Sequence, residues 1–103
     1  FIEVFGKWID DFGVDGFRID TSKHVNSEFW QAFIPAMEER AKARGIPNFH
    51  IFAEVMVDGT DTATLARYNR TDQYHTLDFA FTWAVVDALS GANGPEALSR
   101  LVA

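Results

Sequence analysis

Apolar residues recur along this chain at two different spacings, and the switching between them lays out its elements. Residues 1 to 12 carry Ile2, Phe5, Trp8, Ile9 and Phe12 at helical spacing, with Gly13 as the stop. Residues 14 to 20 read as a short strand. A second helix is expected from Asn26 or Ser27, either of which can cap it, with Phe29, Trp30, Phe33, Ile34 and Met37 forming an apolar stripe. Glu28 near its start and Arg40, Lys42 and Arg44 near its end suit the helix dipole, and Gly45 and Pro47 end it. Pro35 lies inside and predicts a local kink. "FHIFAEV", residues 49 to 55, is a second apolar strand. Residues 57 to 61 form a polar turn, residues 62 to 69 a short helix, and Tyr74 to Leu77 a third strand. Helix follows from Phe79 to Leu89, "SGANGP" breaks it, and a last helical stretch starts at Glu96. Strands and helices alternating at this length predict an α/β fold of right-handed βαβ units with a parallel sheet.

Composition narrows the reading. With 103 residues, 48% hydrophobic and 15% aromatic, the chain can bury one core and is long enough for a single domain, residues 1–103. A net charge of −6 argues against a nucleic acid or an anionic membrane as partner, since phosphate binding needs clustered Lys and Arg. The absence of cysteine excludes disulfides and cysteine-based zinc or nucleophile chemistry. No apolar run approaches the length of a membrane span. The chain opens on Phe1 within a helical pattern, without an initiator Met, and is read as a piece of something longer. The compartment stays open, secreted and periplasmic locations both fitting.

The stretch "GFRIDTSKH", residues 16 to 24, carries the candidate chemistry. A strand alternates its side chains, so Gly16, Arg18 and Asp20 share one face and Phe17 and Ile19 the other. Charges on a buried strand are costly unless paired or functional. Asp20 closes the first strand and Glu54 the second, with one helical crossover between them. Parallel neighbours lie about 4.8 Å apart. Two carboxylates roughly 5 Å apart suit a retaining glycosidase, one as nucleophile and one as acid/base. Arg18, one pleat below Asp20, would pair with its carboxylate and orient it. Taken alone, the same residues also fit a structural ion pair.

"VDGFRIDTSKHV" resembles the second conserved region of the alpha-amylase family of glycoside hydrolases, and "FAEV" resembles its third. The similarity extends to the helix before the first motif, to "NSEFWQAF" after it and to "TLDFAF". It implies part of a (β/α)8 TIM barrel, about three parallel strands equivalent to strands four to six. It makes Asp20 the nucleophile, Glu54 the general acid/base and Arg18 the arginine beside the nucleophile. Lys23 and His24 match positions that contact sugar, and the His24 backbone carbonyl matches a calcium ligand. No cofactor is required by the resemblance, with calcium the one to expect in the whole enzyme.

Residue 53 is Ala where many relatives have Gly, and the segments with the family's third catalytic Asp and its substrate-binding histidines are missing.

Other residues carry plainer expectations. Lys23 and His24 also fit a solvated loop, and His50 a hydrogen-bonded interior histidine. Asp58 and Asp61 are read as turn and cap residues rather than a metal loop. Phe79, Phe81 and Trp83 are read as core, as is the stripe around Trp30 and Phe33. The resulting expectation is a fragment of a retaining enzyme acting on an alpha-linked glucan or maltooligosaccharide, inactive by itself and self-associating through its open edges. A transferase of the same family would use the same residues. A non-catalytic module binding carbohydrate or protein is the other reading, against which Arg18, Asp20 and Glu54 together speak.

Overall fold

The computed structural model describes residues 1–91 and 93–102. Five α-helices and three strands occur among them: α1 (Ile2–Phe12), β1 (Gly16–Ile19), α2 (Ser27–Arg44), β2 (His50–Ala53), α3 (Thr62–Asp72), β3 (His75–Thr76), α4 (Phe79–Ser90) and α5 (Glu96–Val102). A single 3-10 turn, Ser22–His24, sits between β1 and α2. Ala92, within "SGANGP", lies outside the described residues.

The sheet has the order β1-β2-β3 with all strands parallel. Gly16 pairs with His50 and Ile19 with Ala53, while Phe52 pairs with His75. This register puts Phe17, Ile19, Ile51 and Ala53 on the face that meets the helices, and Arg18, Phe52 and His75 on the other. Gly16 is required by this pairing, because a Cβ there would run into the His50 carbonyl oxygen. The three parallel strands with flanking helices are compatible with a segment of a TIM barrel.

The core lies on one side of the sheet. Trp30, Phe33, Ile34 and Met37 of α2 are buried with Ile9 of α1 and with Ile51 and Ala53 of β2. Rings interlock around Phe33, which meets Phe5 at 5.9 Å and Phe29 at 5.3 Å between centroids. Arg40 ties α2 to α1, donating to Glu3 at 2.8 Å and Asp10 at 2.9 Å. Its guanidinium crosses α1 at Gly6, where a Cβ would occupy the same space. Asp61 caps α3 by accepting from the Thr64 N–H at 3.0 Å, and Asp78 caps α4 by accepting from the Phe81 N–H at 2.9 Å.

The opposite face of the sheet is open. The radius of gyration is 16.5 Å, with extents of 49 × 25 × 20 Å. A compact domain of this length would have about 13 Å. This openness accounts for two departures from expectation. His50 is exposed, and it stacks on His75 with 4.8 Å between ring centroids instead of sitting inside a hydrogen-bonded interior. Phe81 is 51% exposed, although Phe79 packs on the core and Trp83 is half-buried with its Nε1 donating to the Val57 carbonyl at 2.9 Å. α4 has one side on the core, and Phe81 lies with Val86 and Leu89 on the other. One smaller difference concerns α2, where Asn26 holds the cap position without a side-chain bond.

Candidate active site

β1 and β2 each end one residue before a carboxylate, so Asp20 and Glu54 stand just beyond neighbouring strand ends rather than within them. The ladder continues into this region, because the Glu54 N–H donates to the Ile19 carbonyl at 2.8 Å. Arg18 reaches up from the open face between the two acids. Its Nη1 lies 3.1 Å from Asp20 Oδ1 and its Nη2 donates to Glu54 Oε2 at 2.9 Å. The expected Arg18–Asp20 pair is therefore present, and the contact to Glu54 is an addition that strand alternation did not reveal. Of the three side chains Glu54 is the most sheltered, at 21% exposed against 70% for Asp20.

The turn after Asp20 is strained. Thr21 has φ of 46°, a left-handed conformation unfavourable for a β-branched residue. That turn folds the chain back over β2, and the Ser22 N–H and Oγ both donate to the Glu54 carbonyl, at 3.1 and 3.0 Å. Trp30 Nε1 donates to the Ser22 carbonyl at 3.0 Å. Lys23 is held as well, its Nζ donating to the Met56 carbonyl at 2.8 Å and tying the 3-10 turn to the loop after β2. His24 is exposed. Lys23, His24 and the two acids thus share one end of the sheet. His50 lies at the other end of β2, whereas His75 pairs with Phe52 and so stands level with Arg18.

Beneath this end of the sheet lie two fully buried groups, Asp72 and Tyr74. The Tyr74 hydroxyl donates to Asp72 Oδ2 at 3.2 Å, and Asp72 Oδ1 has no hydrogen-bond partner among the described residues. Burial pushes the Tyr74 phenol up to about 12, with the neighbouring Ser22 side chain opposing the rise and the nearby Asp72 charge adding to it. Sequence reading missed this cluster, since "RTDQY" looks like a solvated helix end. Beside β1, a groove of about 400 Å³ lined by Phe1, Phe17, Val25, Phe29 and Phe33 opens next to Arg18 and Asp20. It lies along the free edge of β1, where a further strand would pair.

No family model and no solved structure matches the chain. Curated proteins do. An alpha-amylase of Streptomyces lividans is 41% identical over 80 residues, covering 77% of this chain and 8% of that protein. A cyclomaltodextrin glucanotransferase of Klebsiella oxytoca is 33% identical over 92 residues, 84% of this chain and 14% of its own length. The chain is a homologue of the alpha-amylase family. A cyclomaltodextrinase of Geobacillus thermopakistaniensis is similar over 98% of the chain, at 21% identity and 16% of its own length. The chain thus spans 8 to 16% of these relatives. A fragment of a catalytic domain fits this partial coverage.

Proposed function

We propose that the chain supplies two of the reacting groups of a retaining alpha-glucan-acting enzyme, working within a closed barrel. The observation that carries this reading is the single guanidinium of Arg18 spanning Asp20 and Glu54 at adjacent parallel strand ends. In this reading Asp20 attacks the anomeric carbon as Glu54 protonates the departing glycosidic oxygen, and a covalent glycosyl-enzyme forms. Glu54 then takes a proton from water, which attacks the anomeric carbon and releases Asp20. Arg18 orients both acids, with one nitrogen at Asp20 and the other on Glu54.

The substrate is an alpha-linked glucan or maltooligosaccharide. Lys23 and His24, one turn after Asp20, would contact sugar beyond the scissile bond. Lys23 has three N–H donors and gives one to Met56, which leaves donors for a sugar hydroxyl. The His24 carbonyl would supply one oxygen to a calcium ion. Calcium takes about six to eight oxygens, and no group of three or more acidic or histidine side chains among the described residues is placed to hold a metal. The glucanotransferase among the relatives favours a second reading, in which a sugar hydroxyl replaces water in the last step.

The test is made in the complete protein that carries this chain. A fluorinated glucosyl donor that forms the intermediate quickly and loses it slowly should label the peptide holding Asp20. Asp20→Asn should lower turnover of maltooligosaccharides by several orders of magnitude. A near wild-type rate in that variant, or label on another residue, would overturn the assignment.

A further inference from the structure

The buried polar cluster behind the site is not used by the proposed chemistry, yet it is built against it. Glu54 has its backbone fixed on both sides, by its own N–H on the Ile19 carbonyl and by two bonds from Ser22 onto its carbonyl. Ser22 is fully buried and is itself positioned from below. Trp30 holds its carbonyl, the Tyr74 hydroxyl lies against its Oγ, and Asp72 accepts from Tyr74. Trp30 and Tyr74 meet edge-to-face at 5.7 Å, which fixes the ring carrying that hydroxyl.

Such a cluster is an expensive way to hold a fold. Asp72 is a carboxylate with no exposed surface, one oxygen lacks a partner among the described residues, and it sits in the last turn of α3, where the helix dipole is unfavourable to an anion. Apolar residues of the same shape would pack there without that penalty.

We propose that Asp72, Tyr74 and Ser22 form a positioning unit that sets where the Glu54 carboxyl group stands relative to Asp20. This rests on the reading of Glu54 as the acid/base. Asp72 holds the Tyr74 hydroxyl, Tyr74 packs against Ser22 and against the Trp30 ring that bonds the Ser22 carbonyl, and Ser22 clamps the Glu54 peptide. The side chain of Glu54 then leaves the strand end in one direction, beside Arg18. Misplacing a proton donor by about 1 Å costs on the order of 100-fold in rate. The loss should fall on substrates whose leaving group must be protonated.

The experiment uses the complete protein with Ser22→Ala, Tyr74→Phe and Asp72→Asn, and with Glu54→Gln as the reference. Each is assayed on a maltooligosaccharide and on an aryl glucoside with a good leaving group. In Ser22→Ala and Tyr74→Phe we expect kcat/KM to fall about 10- to 100-fold on the oligosaccharide and hardly at all on the aryl glucoside. The limb of the pH profile that reports the proton donor should move in both. Equal losses on the two substrates, or none on either, would show an ordinary structural cluster and overturn the proposal. Should Asp72→Asn fail to fold, Ser22→Ala and Tyr74→Phe, which each remove one oxygen, decide it. If Glu54→Gln itself shows no dependence on the leaving group, the acid/base reading falls and the positioning unit falls with it.

Discussion

Raising the pH tests the buried cluster directly in this chain, without any activity. Tyr74 has no exposed surface, and burial lifts its phenol from 10.0 to about 12. The fold therefore holds the Tyr74 proton more tightly than the unfolded chain does. Its contribution to stability is complete below pH 10 and is lost as pH rises through about 12. Two pH units correspond to about 2–3 kcal/mol, a substantial part of the 5–15 kcal/mol of a typical domain. The chain has 2 tyrosines, so a Tyr68→Phe background leaves Tyr74 as the only phenol. Tyrosinate absorbance and far-ultraviolet circular dichroism are then followed together from neutral to strongly alkaline pH. Tyrosinate should form only near pH 12, with or just before loss of helix. Asp72→Asn removes a neighbouring negative charge and should bring the midpoint down. Tyrosinate forming near pH 10 with the helical signal intact would refute the placement of Tyr74.

Three further outcomes follow from other contacts. Gly6→Ala and Arg40→Met both break the Arg40 clamp on Glu3 and Asp10, so in chemical denaturation the double variant should be clearly more stable than the sum of the single losses predicts, and simple additivity would be evidence against the clamp. Thr64 hydrogen bonds hold the Asp61 carboxyl below its usual 3.8; its share of α3 stability is present above the ordinary carboxylate range and is lost as pH falls through the lowered value, a loss that Asp61→Asn should abolish and that amide exchange in α3 would detect. The isolated chain should show no glycosidase activity and should self-associate, because β1 and β3 have free edges and Phe52 faces an open side. Light scattering coupled to size exclusion that returns a folded monomer of 11.6 kDa would count against the association.

Much of this was readable from periodicity and turn chemistry. α1, α2 and the parallel order of the strands follow from apolar spacing and from glycine stops, and the cap role of Asp61 follows from its place before Thr62. Alternation put Arg18 and Asp20 on one face, but it says nothing of distances across strands, so the reach of Arg18 to Glu54 stayed hidden. The Asp72–Tyr74 pair was invisible for a different reason. Nothing local marks Asp72 and Tyr74 as buried between the exposed Arg70, Thr71 and Gln73 of "RTDQY", and their burial comes from packing that local pattern does not show. His50 failed in the opposite sense. The expectation assumed an enclosing wall that these residues do not provide.

The features around the strand ends have a common physical character, which is that few of them help the fold. Ion pairs as exposed as Arg18 with Asp20 contribute only about 0–1 kcal/mol. Thr21 is held at positive φ, and backbone strain of this kind costs about 1–3 kcal/mol. Asp72 is buried with an oxygen unpartnered among the described residues. Stability-neutral charges, a strained turn and a buried carboxylate would be odd if scattered. Here they converge within a few residues of Asp20 or behind the peptide of Glu54, while the hydrophobic core beside them is regular. Local rules tend to be broken where function requires it. The same charges gain strength when water is removed from around them, since Coulomb attraction rises as the local dielectric falls. An enclosing barrel would do this to Arg18, Asp20 and Glu54 without moving an atom, so their weak pairing in the open chain is compatible with a strong electrostatic role in a closed one.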